Sequence, residues 1–314
     1  MAATSEDVAR RAGLSRATVS QVLNGHSHRF AAETAQRVLQ AAEELAYEPS
    51  SAGRTLRSGS SDFVIALIPN TTFGSNLQNI FDTVTDLLAD KGLTLVLRLS
   101  TQSPASLDRI LAGMKPRAVL SLQPFTDSER EVLSRRGVPG FDTKMGGDLN
   151  QAIGRTQAEH LVAQGYRRIA FAHLRDNRLD PYGADRKMAV GDVCAEAGLP
   201  APAVIGLGID LAEAAAALDS VEPGYGIACY NDDVAITLLT AIGLRGWKVP
   251  TDIGLIGMDH TPLSQVTNPR LTTVGYDLTA VAQSTVGAAL RALGREDAPP
   301  DTTIDLRVIP GGSS

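Results

Sequence analysis

The sequence predicts an α/β protein: a small helix-turn-helix head followed by two Rossmann-like, parallel-sheet subdomains. Three observations carry that prediction. Within residues 4–24, apolar side chains recur at helical spacing on both sides of a short break. From Phe63 onward, strand-length apolar runs alternate with helical stretches, and the alternation falls into two successive series.

In the head, Val8, Ala9 and Ala12 precede Gly13-Leu14-Ser15, and Val19, Val22 and Leu23 follow it. The break is too short for anything but a sharp turn. Thr4 is placed to cap the first helix, with Asp7 near its positive end, and Ser15 to cap the second. Outside the apolar stripe, the second helix leaves Arg16, Ala17, Thr18, Ser20, Gln21 and Asn24. A recognition helix presents its first turn to base edges, which makes Arg16, Ala17 and Gln21 candidate readers. Arg forks onto guanine, Gln pairs with adenine and Ala touches a thymine methyl. Thr18, Ser20 and Asn24 are candidates for phosphates, which fix register without reading sequence. Thr4, Ser15 and Arg29 complete the candidate DNA-facing set. A helical pair that packs and binds nothing would show the same pattern.

Residues 26–30 read as a loop, and 33–47 as a third helix with Thr34, Val38, Ala41, Ala42 and Leu45 inward. Ala31 stands where a capping Ser is expected, which weakens the helix start by about 1 kcal/mol. His26 and His28 have no Cys or second His pair at ligand spacing, so no metal is expected. Pro49 ends the helix. Residues 50–57 then form a short piece before the linker Ser58-Gly59-Ser60-Ser61.

The larger part runs through FVIALIP, LTLVLRL and AVLSL, with helices expected over 77–88, 107–114 and 128–136. A second series follows in RIAFAHL, AVIGLG, GIACY and DIGLIGM. Two such series imply a cleft between similar subdomains, where ligands gather at the carboxyl ends of strands.

The 314 residues are 43% hydrophobic and 20% charged, enough for two or three compact units. A net charge of −6, averaged over the chain, argues against a nucleic-acid partner. The average conceals an asymmetry. Residues 1–60 hold seven Arg and six acids, leaving −7 for the remainder, and Arg10, Arg11 and Arg16 flank the turn. Cys194 and Cys229 fall in a predicted helix and strand and are read as reduced core thiols. The N-terminus lacks a secretory pattern and no apolar run reaches membrane length, so a cytoplasmic location without membrane attachment is expected.

The strings DVARRAGLSRATVSQVLNG, RVLQAAEELAYEPS and RTLRSG resemble the head of the lactose-repressor and galactose-repressor family of bacterial transcription regulators. The resemblance continues more thinly in GYRRIAF, AEAGL, YNDDVA, KVPTDIGLIGMD and PRLTTV. It implies a helix-turn-helix head over 1–48 and a hinge helix with linker over 49–61. Two subdomains similar to periplasmic sugar-binding proteins follow, 62–146 with 276–300 and 147–275 with 301–314, the chain crossing between them near 147, 276 and 300. In that family the hinge helix forms when two subunits bind DNA together and enters the minor groove. Leu56 falls on the wedging position, and Arg54 and Arg57 beside it suit phosphate contacts. Gly53 replaces a better helix former, at a cost of roughly 1 kcal/mol.

The resemblance also carries effector-contact residues. Arg186 matches the Arg of an R-x-x-G-F stretch, with Ala189 and Val190 in place of its Gly and aromatic residue. Asn231 and Asp232 match the Asn-Asp after the GIACY strand, and Asp259 the Asp after GLIGM. Ser75 and Asn76 stand where many relatives have aromatic residues, and Asn150 matches an Asn, with Leu149 in place of a preceding Asp. Tyr230, His173 and Trp247 are candidates for replacement contacts or for packing. A guanidinium and two carboxylates converging at strand ends suit a hydroxyl-rich or otherwise polar ligand. The same groups would serve equally as strand-end caps and an ion pair between subdomains.

The implied molecule is a homodimeric repressor binding a near-palindromic double-stranded DNA operator and a small polar, sugar-like effector, without metal, cofactor or catalysis. The tail after Pro310 is too short for a tetramer-forming coiled coil. An enzyme would need a G-x-G-x-x-G or Walker loop or a nucleophile elbow, and none is present. Asp232 and Asp233, as neighbours on a helix start, point apart rather than forming a metal pair. A periplasmic binding protein would carry a signal peptide and no head.

Overall fold

The computed structural model describes residues 3–23, 27–47, 59–69, 74–100, 103–142, 147–176, 182–299 and 303–314. The chain separates into two units, Met1–Asp62 and Phe63–Ser314.

The first unit is built from three helices, α1 (Ser5–Ala12), α2 (Arg16–Gln21) and α3 (Ala32–Glu44). A capping box starts α1. The Asp7 amide donates to the Thr4 hydroxyl at 3.3 Å, and the Thr4 amide donates to the Asp7 carboxylate at 2.9 Å. Gly13 ends α1 in the left-handed region at φ 67°, where a side chain would be strained. Arg37 of α3 donates to the carbonyl of Ala12 at 2.6 Å, placing a cation at the negative end of α1 and fastening the turn. Ser15 caps α2 by accepting from the Thr18 amide at 3.1 Å.

Val8, Ala9, Ala12, Val19, Val22, Val38, Ala41 and Ala42 form the buried centre, with Leu23, Leu45 and Tyr47 partly buried against it. The third helix is shorter than the expected 33–47. Leu45 caps it, Ala46 turns left-handed at φ 46°, and the amides of Ala46 and Tyr47 return to the carbonyls of Glu43 and Ala42. Ala31 makes no capping bond, as its side chain dictates. Asn24, His26, Gly53, Arg54, Leu56 and Arg57, with most of the expected hinge, lie outside the described residues.

The second unit carries two sheets. The first, in the order β2-β1-β3-β4, comprises β1 (Phe63–Ile68), β2 (Thr94–Leu99), β3 (Ala118–Ser121) and β4 (Gly140–Asp142), all parallel. Helices α4 (Ser75–Ala89), α5 (Pro104–Met114) and α6 (Asp127–Arg136) connect them. The second sheet, in the order β10-β9-β8-β7-β5-β6, comprises β5 (Arg168–Leu174), β6 (Ala203–Leu207), β7 (Tyr225–Cys229), β8 (Ile253–Met258), β9 (Thr272–Tyr276) and β10 (Leu306–Ile309). Its helices are α7 (Gly147–Ala163), α8 (Gly183–Glu196), α9 (Leu211–Ala217) and α10 (Asp232–Leu244).

Helix α11 (Leu278–Ala292) follows β9 directly but packs with the first sheet, burying Val281, Ala282, Val286, Ala289 and Leu290 beside Val64, Ala66 and Phe81. The chain then returns to β10 in the second sheet. Tyr276, at the end of β9, packs against the cores of both lobes.

The apolar runs read as strands all form strands: β1, β3, β7 and β8 are buried on both faces and so continuously hydrophobic, whereas β2 is apolar although Leu97 and Leu99 are exposed. Three strands were not read from the sequence: β9, which is short but buried, and β4 and β10. β4 has only three residues, and β10 alternates partly buried Leu306 and Val308 with exposed Arg307. β10 runs antiparallel to β9, so the second sheet is mixed rather than wholly parallel. Cys194 on α8 and Cys229 on β7 are buried free thiols, and burial pushes both pKa values up. Among the described residues, no helix is long and apolar enough to cross a membrane.

Candidate functional site

On the head, the outward side of α2 presents Arg16, Ala17 and Gln21 to solvent, while Thr18 and Ser20 are half-buried and Thr4, Ser15 and Arg29 exposed. Several of these groups already have protein partners, and the Thr4 hydroxyl donates to the Asp7 carboxylate at 2.7 Å. Arg16 donates from Nε to the Ser5 hydroxyl at 3.2 Å, and the hydroxyls of Thr18 and Ser15 lie 2.9 Å apart. The Arg16 contact leaves its terminal nitrogens as donors for a base edge, because a guanidinium carries five N–H groups.

In the second unit, a cavity of about 400 Å³ opens between the carboxyl ends of the two sheets, within the size range of small-molecule sites. Its first side comes from the start of α4, with Ser75, Asn76 and Leu77. The other comes from the start of α8, the ends of β7, β8 and β9, and the loop after β8, with Tyr182, Arg186, Tyr230, Asn231, Asp233, Asp259, Thr261 and Tyr276.

Arg186 is the best-held of these groups. Its Nε donates to Asn150 Oδ1 at 2.9 Å, its Nη1 donates to the Tyr230 carbonyl, and its guanidinium lies 4.8 Å from the centre of the Tyr230 ring and 5.9 Å from that of Tyr182. Asn150 is buried behind Arg186 and does not line the cavity. Asn231 caps α10, accepting from the Val234 amide at 3.0 Å, and also borders the cavity. The capping and contact readings of Asn231 are therefore compatible.

The expectation for Asp232 needs correcting. Its side chain is fully buried away from the cavity, accepting from the Thr261 amide at 2.7 Å, the Thr261 hydroxyl at 3.0 Å and the Thr273 hydroxyl at 2.6 Å. It fits there because β8 carries Gly257, where a Cβ would stand 2.1 Å from Asp232 Oδ1. Asp232 thus anchors the loop that presents Thr261. Asp233, about 100° further round the helix, faces the cavity in its place. His173 and Trp247 are also absent from the lining. His173 bonds the Leu174 carbonyl and stacks with Phe171, while Arg245 covers Trp247.

Asp259 occupies strained backbone at φ 103°, followed by His260 at φ 50°. Burial pushes its pKa up to about 7, with Arg186 opposing and the charges of Asp232 and Asp233 adding to the rise. Burial also raises Asp233 and Asp232, and takes Tyr182 up to about 12. Tyr276 is raised by burial and by the neighbouring Asp259 charge.

Ser75 and Asn76 put no rings at the start of α4, yet the cavity is aromatic. Tyr182, Tyr230 and Tyr276 supply its rings, all from the side of the second sheet. Sequence reasoning missed Tyr182, Asp233, Thr261 and Tyr276. Tyr182 had a legible signal, lying one helical turn before Arg186. Tyr276 ends the TTVGY strand, as Asp259 follows GLIGM.

Two sequence-family descriptions match the chain. Residues 4–50 match "Bacterial regulatory proteins, lacI family", and residues 158–314 match "Periplasmic binding protein-like domain". The chain is 31% identical to the HTH-type transcriptional regulator GntR of Pseudomonas aeruginosa, over 96% of this chain and 92% of the relative. It is 30% identical to the ribose operon repressor of Halalkalibacterium halodurans, over 89% and 88%. Among solved structures, the lac repressor dimer bound to operator and the anti-inducer ONPF shares the fold with a TM-score of 0.81, at 20% identity over 100% of this chain and 99% of that one.

Proposed function

The chain belongs to the lacI family of bacterial regulatory proteins and is a DNA-binding transcription regulator, and on that premise we propose that it is an effector-controlled repressor acting as a homodimer. Two heads take the half-sites of a near-palindromic operator. Arg16, Ala17 and Gln21 read bases. Thr18, Ser20 and Asn24, with Thr4, Ser15 and Arg29, hold the backbone. Arg54, Leu56 and Arg57 work at the minor groove between the half-sites.

A small polar, sugar-like effector sits between the lobe of 62–146 with 276–300 and that of 147–275 with 301–314. Ser75, Asn76, Arg186, Tyr230, Asn231 and Asp259 contact it. Asn150 acts by orienting Arg186, and Asp232 by fixing Thr261. The effector sets the angle between lobes, and the angle sets whether paired hinges can form over the DNA. Such coupling needs only different affinities for the two lobe arrangements. The protein binds its ligand without turning it over, and it works in the cytoplasm beside its DNA.

The observation that carries this reading is the charged, tyrosine-lined cavity in a chain whose head exposes the polar side of a capped second helix. Selection of bound fragments from the source genome, followed by footprinting, tests it. The expected result is two protected half-sites related by a dyad. A monomer indifferent to every fragment would overturn it.

A further inference from the structure

The cavity has an imbalance of charge that bears on the chemistry of its occupant. Two carboxylates, Asp233 and Asp259, border it beside one guanidinium, Arg186, and a third carboxylate, Asp232, lies just behind the wall. Among the described residues no Lys side chain lines the cavity, and the other polar side chains of the lining are neutral. The guanidinium is largely engaged, with Nε on Asn150, Nη1 on the Tyr230 carbonyl and its plane near two tyrosine rings. Neither the Asp233 nor the Asp259 carboxylate accepts a hydrogen bond from another described residue. Burial raises the pKa of both acids, which a cation beside them would oppose.

From this arrangement, and resting on the reading of the cavity as an effector site, we infer that the ligand is a hydroxylated primary amine, such as an amino sugar, bound as its ammonium ion. With both acids ionised, a monocation balances the two carboxylates against Arg186, and its charge beside Asp259 favours that ionised form. A neutral ligand of the same shape leaves one carboxylate desolvated without a partner, and an anion adds a third negative charge to a site with one cation. The ammonium group donates to the Asp233 and Asp259 carboxylates. The hydroxyls take the remaining guanidinium N–H groups, Asn231 and Thr261, and the tyrosine rings cover the apolar ring face and favour a cation beside them.

Calorimetric titration of the full chain at about pH 7, where such amines are largely protonated, tests the inference. The probes are two matched series: glucosamine, glucose and gluconate, and galactosamine, galactose and galactonate. In at least one series the amine is expected to bind on the order of tenfold or more tighter than the neutral sugar, with the acid weakest. In Asp233→Asn, folded by circular dichroism, the gap between amine and neutral sugar should collapse. A neutral or acidic member that binds as tightly as its amine, or a gap unchanged in Asp233→Asn, overturns the cationic assignment and leaves the effector site standing. Binding by none of the six removes the effector reading beneath it.

Discussion

The side-chain amide of Asn76, at the start of α4, donates to the backbone carbonyl of Asp259, at the end of β8, 183 residues further along the chain. One bond thus ties the first lobe to the strained turn of the second, across the mouth of the cavity. Asn76→Ala should lower stability by roughly 1 kcal/mol, the net worth of one such bond. Urea denaturation reads it, and an unchanged midpoint would show that the lobes are not tied this way in solution.

Arg16 begins α2 with its side chain in solvent and its Nε on Ser5. Arg16→Ala should cost roughly 1 to 3 kcal/mol at one operator position and relax the preference there. Affinity measured against every single-base variant of the operator decides the matter. A uniform loss across all variants would make Arg16 a phosphate contact.

Leu56 lies outside the described residues, and its role rests on its place in RTLRSG between Arg54 and Arg57. Replacing it with Ala removes the wedge while keeping both cations. DNA bending in a circular-permutation gel shift should fall. Bending equal to that of the unmodified protein would assign the central operator contact to other residues.

Asp259 gives stability a pH dependence of known sign. Its folded pKa is raised to about 7, so between the unfolded carboxylate range near pH 4 and about pH 7 the folded state holds the extra proton. Its contribution therefore falls as pH rises through that window and is level above it. Asp259→Asn should flatten thermal stability across the window. A profile that keeps its slope in the variant would assign the dependence to another group.

The buried centre of the head and its caps were largely legible, because a two-helix unit has few ways to bury Val8, Val19 and Val22 and starts only where Thr4 and Ser15 can cap it, although Thr34 lies outside the core and Leu14, Phe30 and Ala35 pack against it. The large sheets were legible for a related reason, since strands covered on both faces must be continuously apolar. The cavity was less so. Asn231 and Asp259 lie at strand ends, as expected, but whether Asp232 or Asp233 faces the cavity depends on a rotation about α10 and on the room left by Gly257, neither of which is written in local composition. Asn150 was expected to be a contact but lies behind Arg186, whose Nε it accepts from, and does not line the cavity. The end of α3 was misplaced because Ala46 adopts a left-handed conformation that sequence assigns to Gly or Asn.

Tyr276 stands where the chain leaves one lobe for the other, its ring wedged against the cores of both and bordering the cavity. Under the proposed mechanism, an occupant that pushes on that ring pushes directly on a point where the two lobes meet. On that reading sensing and movement would be a single mechanical event, with no relay of intermediate residues needed between them.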